Sequence, residues 1–189
     1  MTLQTNALLD VEDVFDYMKK DLPVSTDPNY VLIESLINRA SDFCETYING
    51  PIINKSATIA LDGDGSDELA LPYYPIQSVS SVLVDGVDAT DNIDFYPEGF
   101  IYYTTGDAFP KGRKNIQVTF TAGLGADKNA IPQDIKQAAL LITHYWYKRD
   151  SLDYSQTYGE SEVIVGQWRF PSIAAQMLDR YRRPNMAVI

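Results

Sequence analysis

Apolar residues recur every three or four positions near both ends of the chain and every second position through its middle. Behind Asp10, a residue suited to capping, Val11, Val14, Phe15 and Met18 fall on one helical face. Leu9 and Val14 are spaced as a hydrophobic staple, and Lys19 and Lys20 suit the negative end of the helix dipole. This spacing predicts a helix over 8–20. Asp27-Pro28 signals a second start, a cap followed by proline in the first turn. Leu32, Leu36, Ala40, Phe43 and Tyr47 then share a face, with Ile33, Ile37, Cys44 and Ile48 beside them, until Gly50-Pro51 breaks the pattern and ends a helix over 28–49.

Between 56 and 123 the period falls to two. Short strands are predicted at 58–61, 68–71, 79–84, 93–96, 100–104 and 115–121. They are separated by turn residues: Asp62-Gly63-Asp64-Gly65, Pro72 with Pro75, Asp85-Gly86, Pro97-Glu98-Gly99 and Pro110-Lys111-Gly112. Connections this short favour antiparallel pairing, in a small sandwich or rolled sheet. Helix returns over 132–149, where Ile135, Ala138, Ala139, Ile142, Tyr145 and Trp146 face inward. Leu140 and Leu141 make that stretch apolar nearly all round, so it is expected among neighbouring helices or inside an oligomer. Residues 151–170 are polar, aromatic and turn-prone, and are read as an exposed arm with one strand at 163–165. A last helix is predicted over 172–183, lined by Ile173, Met177, Leu178 and Tyr181. The resulting fold class is α+β: a helical bundle of about four helices drawn from both ends of the chain, with a central antiparallel β-strand insertion over 56–123, in one domain spanning 1–189.

Composition supports a core without cross-links, since 45% of the 189 residues are hydrophobic and 12% aromatic. Cys44 is the only cysteine, which excludes an intrachain disulfide and a thiolate zinc cluster. The longest apolar run, 138–142, is far short of a membrane span, and residues 1–10 lack the basic and apolar parts of a secretion signal. A soluble protein of a reducing compartment, without membrane contact, is expected.

Charge changes the picture more. The formal net charge is −11 and the pI is near 4.4, which argues against a protein built to grip nucleic acid. Residues 1–110 carry 4 bases and 19 acids, net −15; residues 111–189 carry 11 bases and 7 acids, net +4. Residues 56–110 contain 10 acids and no Lys or Arg. Such a surface repels polyanions, docks a basic partner, or simply aids solubility. Opposed acidic and basic poles would also suit stacking into a ring.

Catalytic and metal motifs fail one by one. Asp62-Gly63-Asp64-Gly65-Ser66-Asp67-Glu68 opens like a calcium loop, but Asp67 stands where Gly is needed and Tyr73 where a bidentate Glu is needed. Gly123-Leu124-Gly125 begins a dinucleotide fingerprint, yet Lys128 replaces the third Gly and no βαβ unit surrounds it. His144, the sole histidine, has Leu140 and Lys148 as its helical neighbours, not a second ligand. No catalytic residue, metal ligand or cofactor site is assigned.

The order of several segments is more informative than any motif. Helix 8–20 is followed by Ala40-Ser41-Asp42-Phe43-Cys44-Glu45-Thr46-Tyr47-Ile48-Asn49-Gly50-Pro51, Leu71-Pro72-Tyr73-Tyr74-Pro75-Ile76-Gln77-Ser78-Val79 and Val84-Asp85-Gly86. Then come Phe109-Pro110-Lys111-Gly112-Arg113, Val118-Thr119-Phe120-Thr121-Ala122-Gly123, Ile131-Pro132-Gln133-Asp134-Ile135-Lys136-Gln137-Ala138 and Tyr181-Arg182-Arg183. The series resembles the head–tail connector (adaptor, or head-completion) proteins of long-tailed bacteriophages and prophages, over most of the chain except 151–170.

That resemblance implies a non-enzymatic virion protein of the head–tail neck, assembled in the host cytoplasm. It implies a homo-oligomeric ring, commonly a dodecamer, docked under the portal protein. The ring extends a DNA channel through which DNA passes without specific binding, and offers a platform to a stopper or tail-completion protein. It also makes Arg180, Tyr181, Arg182 and Arg183 candidates for portal contact. Tyr154, Tyr158, Trp168 and Phe170 are candidates for subunit interfaces. Asp62, Asp64, Asp67, Glu68, Asp85 and Asp88 are candidates for an acidic channel wall or outer rim. The alternatives are a tail-side neck or tail-completion protein and a β-rich calcium- or carbohydrate-binding module.

Overall fold

The structure, a computed structural model, describes residues 2–150, 162–165 and 168–183; of these, the side chains of 150, 162–165, 168 and 169 are not described. The chain divides into two compact units, Met1–Asn49 with Asp127–Arg183, and a second that includes Gly50–Ala126. The fold is α+β, with the strands of the second unit inserted between helices of the first.

The first unit contains α1 (Val11–Met18), α2 (Pro28–Ile48), α3 (Gln133–Asp150) and α4 (Ser172–Asp179), with a hairpin of β8 (Glu162–Val165) and β9 (Trp168–Pro171). Capping explains where the helices begin and end. The Asp13 carboxylate accepts from the Asp10 N–H at 2.8 Å, and Asp27 accepts from the Asn29 N–H at 2.8 Å. Lys19 and Asn49, both left-handed, end α1 and α2. Leu8 and Leu9 precede α1 rather than belonging to it, yet both are buried. They are held by a polar row on α2. Ser41 Oγ accepts from the Leu8 N–H at 3.0 Å and donates to the Ile37 carbonyl at 2.8 Å. Asn38 accepts from the Gln4 N–H and donates to the Thr2 carbonyl. An N-terminal strap therefore occupies the face of α2 that carries Asn38 and Ser41.

α3 is the centre of this unit. Ile135, Ala138, Ala139, Ile142, Tyr145 and Trp146 are all buried, and α3 packs on α1, α2, α4 and β9. Its all-round apolar surface is thus largely covered within the chain. α4 ends at Asp179 and buries Ala174, Ala175 and Leu178, whereas Ile173 remains 52% exposed. The small alanines, rather than the expected Ile173 face, allow close approach to α3.

The second unit is a sandwich. One sheet has the order β1 (Lys55–Gly63), β7 (Gly112–Ala122), β3 (Ile76–Val84), β4 (Val87–Asp88); the other has β2 (Glu68–Ala70), β6 (Phe100–Tyr103), β5 (Ile93–Tyr96). All pairs within both sheets are antiparallel. Leu61, Leu69, Val82, Ile101, Phe109, Ile116, Val118 and Phe120 form the core between them. Asp85 and Gly86, both at positive φ, make the two-residue turn from β3 to β4, the conformation a tight hairpin requires. Gly63 is imposed by close approach, because a Cβ there would lie 1.9 Å from the Pro110 carbonyl oxygen. Among the described residues, no helix is long and apolar enough to cross a membrane.

Folding redistributes the charge. Residues 1–49 and 127–183 lie in the same unit, with 11 bases and 16 acids, net −5. Residues 50–126 carry 4 bases and 10 acids, net −6. The acidic and basic halves of the linear sequence are therefore not segregated between the units, and both units are net negative.

Candidate assembly surfaces

The three-stranded sheet places alternate residues on opposite faces. Leu69, Ile101 and Phe95 pair across β2, β6 and β5 and pack into the sandwich core. The next row, Glu68, Tyr102 and Asp94, takes the outer face, with Tyr96 two residues along from Asp94. Tyr96 is 43% exposed and its ring stacks on Tyr102, centroids 4.6 Å apart and planes 22° from parallel. Tyr102 donates weakly to Asp94 at 3.4 Å. Its phenol is held above the ordinary range, first by desolvation and then by the negative charge of Asp94.

All ten acids of 56–110 are exposed. Several shape the backbone as well. Asp64 accepts from the Ser66 N–H at 2.8 Å and from the Ser66 hydroxyl, which holds its carboxyl below the usual range. Asp88 does the same with the Thr90 N–H and hydroxyl, at 2.9 and 2.6 Å, with the same effect. Asp85 supplies the positive-φ hairpin turn. Asp62 accepts from the Lys114 N–H at 2.6 Å, and Asn115 accepts from the Gly63 N–H while donating to the Pro110 carbonyl. These bonds pin the start of β7, where Lys111, Arg113 and Lys114 are exposed. The acidic turn at 62–68 therefore has cations beside it, and Lys111 contributes to lowering Asp64. Asp67 and Glu68 are exposed nearby in sequence.

In the helical unit, the C-terminal candidates separate. Arg180 is exposed and pairs with Asp134 at 2.9 Å; with side chains 72% and 41% exposed, that pair is worth at most about 1 kcal/mol. Tyr181 is half-buried, its N–H donating to the Leu178 carbonyl. Arg182 is exposed and lies over the Tyr47 ring at 5.4 Å, while the Tyr47 hydroxyl donates to Asp179 at 2.8 Å. Burial first, then Asp179, pushes the Tyr47 phenol up to about 12. Arg183 is buried, and its N–H donates to the Ile48 carbonyl at 2.9 Å, satisfying the end of α2. Its first role is structural.

Phe170 is fully buried, edge-on to Phe43 at 4.8 Å and Tyr47 at 5.7 Å. Its ring is enclosed by its own chain, so it is unavailable to a neighbouring subunit without rearrangement. Tyr154 and Tyr158 lie outside the described residues, as does the Trp168 side chain. In sequence, the only signal of the aromatic pair on the outer β face is the alternation of Asp94 and Tyr96 against Tyr102.

The groups with reactive chemistry are engaged in packing. Burial pushes the Cys44 thiol far up, which removes its nucleophilic thiolate form at neutral pH. His144 meets Tyr17 edge-on at 5.1 Å and is held below the ordinary imidazole range by burial, then by Lys148 and Lys20. The Leu124 and Gly125 N–H groups both donate to the Ile52 carbonyl, so that glycine-rich turn spends its donors on the fold.

Together these elements define an α+β protein in which strands are inserted between helices of the chain. A family model described as Head completion protein (HCP) matches residues 7–184, and the chain belongs to that family. Its fold is shared with chains in solved gene transfer agent (GTA) particles. One, in the neck of the empty GTA particle computed with C6 symmetry, has a TM-score of 0.68 and 19% identity, covering 100% of this chain and 97% of that one. Another, in the neck of the native GTA particle computed with C12 symmetry, gives 0.65 and 19%, with the same coverage. A third, in the virion of the native GTA particle, gives 0.66 and 18%, covering 97% of this chain and 93% of that one. No curated protein matches the chain.

Proposed function

We propose that this head completion protein is a non-enzymatic connector of the head–tail neck, acting as a ring docked beneath the portal. The ring extends the DNA channel and presents its far side to a stopper or tail-completion protein. One observation carries this reading: the full-length likeness in fold to chains of GTA necks, one of them computed with C12 symmetry. The C12 symmetry of that neck supports a twelve-fold ring in the docked state, within the virion neck; assembly in the host cytoplasm is part of the same proposal.

Portal contact is assigned to Arg180, Tyr181 and Arg182, with Arg183 holding that segment against the end of α2. The exposed acids of 56–110 serve the conduit. Cations facing a duplex release its counterions and add affinity, whereas carboxylates within about 8–10 Å repel it at moderate salt. DNA then passes without being held. Electron microscopy of the full chain mixed with its portal tests the reading. An added annular layer on the portal is expected, weakened in Arg182→Glu; a portal left bare at saturating protein would overturn it.

A further inference from the structure

The β unit carries two exposed surfaces of opposite chemistry. One is the outer face of the three-stranded sheet, where the Tyr96–Tyr102 stack lies in and beside the row Glu68, Tyr102, Asp94. No Lys or Arg occurs anywhere in 56–110, so these strands supply no cation of their own, and neither Glu68 nor Asp94 is ion-paired among the described residues. A stacked, solvent-facing aromatic pair flanked by carboxylates suits a guanidinium: its plane stacks on the rings and its N–H groups reach the acids. The other surface is the start of β7. There Lys111, Arg113 and Lys114 are exposed, on a backbone fixed by Asp62 and Asn115. Arg113 has no partner among the described residues.

We infer that these two surfaces are the acceptor and donor of one head-to-tail contact between copies of this chain, with Arg113 of one copy on the Tyr96–Tyr102 stack of the next, near Glu68 and Asp94. Charge complementarity selects a second copy as the occupant: the same unit presents both halves, and although Lys111 and Lys114 lie beside Asp64 and Asp62, neither Arg113 nor Glu68 and Asp94 is ion-paired among the described residues. Distinct donor and acceptor patches make a heterologous interface, which closes into a ring when the rotation between copies permits. The contact rests on the ring reading above and supplies its lateral chemistry.

The test measures annular assembly of the full chain, alone and on its portal, by mass photometry and negative-stain microscopy over a range of protein and salt concentrations. Arg113→Glu, and separately the pair Glu68→Arg with Asp94→Arg, are each expected to raise the concentration needed for ring formation at least ten-fold. Unfolding temperature should fall little, because all three side chains are exposed and only Asp94 gives up bonds, from the Phe95 N–H and weakly from Tyr102. Combining the three substitutions in one chain reverses both halves and should restore assembly towards the wild-type level. Rings of Arg113→Glu that form as readily as wild type would overturn the contact while leaving the ring reading intact. So would acceptor variants that assemble normally but fail to engage another neck protein, since the occupant is then not a second copy. If the wild type forms no annulus even with portal, the ring reading itself falls, and this contact with it.

Discussion

Single side chains decide how much of the polar surface is structural. Ser41 lies mid-helix and fully buried, where a hydroxyl reads as neutral; its work is to accept from the Leu8 N–H. Ser41→Ala leaves that N–H without its acceptor, and a loss of about 1–3 kcal/mol is expected in chemical denaturation. His144 gives a pH signature. Its folded-state value is depressed below 6.5, first by burial and then by Lys148 and Lys20, so the native state favours the neutral ring. Its contribution to stability is present above pH 6.5 and is lost as pH falls through the lower folded value. Unfolding temperature should therefore drop from pH 7.5 to pH 5, and the drop should shrink in His144→Gln; an unchanged slope would remove His144 as the cause. Neither effect was legible in sequence, because Ser41 and His144 acquire their partners only when α2 meets the N-terminal strap and α3 meets α1.

At the scale of elements, local signals read well and long-range ones did not. Asp27-Pro28 and Gly50-Pro51 bracket α2, and Asp85-Gly86 marks the β3–β4 hairpin, because caps and tight turns are set by neighbours in sequence. α3 was legible as apolar nearly all round, but whether its own chain or another subunit covers it depends on α1, α2, α4 and β9 arriving from distant segments. Phe170 shows the same limit. Set in a polar, aromatic, turn-prone stretch, it reads as part of an arm; in the fold β9 carries it against Phe43 and Tyr47. Phe170→Ala is expected to cost about 3–5 kcal/mol in the unfolding free energy of the isolated chain. A variant of wild-type stability that fails only in assembly would return Phe170 to the interface.

At the scale of the whole molecule, the linear charge asymmetry disappears. The units carry net −5 and −6, because 1–49 and 127–183 share one of them. What survives is local contrast within the β unit, an acid–aromatic sheet face and a basic strand start, which suits repeated head-to-tail contact better than two global poles do. The family resemblance in the segment order was legible and agrees with the Head completion protein match across 7–184. Identity to chains of the same fold is only 18–19%, and in this chain the segments that carry the resemblance hold caps, turns and core positions: Asn49 ends α2, Asp85-Gly86 turns β3 into β4, and Val118 and Phe120 are core. The purified chain should also leave duplex DNA unretarded at low salt, as its net charge of −11 implies; strong retardation would remove the conduit role of the exposed acids. The most direct test of the neck assignment is a cryo-EM reconstruction of the intact particle that assembles this chain. Density fitting its helical and β units is expected as a twelve-membered ring immediately below the portal. Density for the fold at any other place in the particle, or none in the neck, would contradict it.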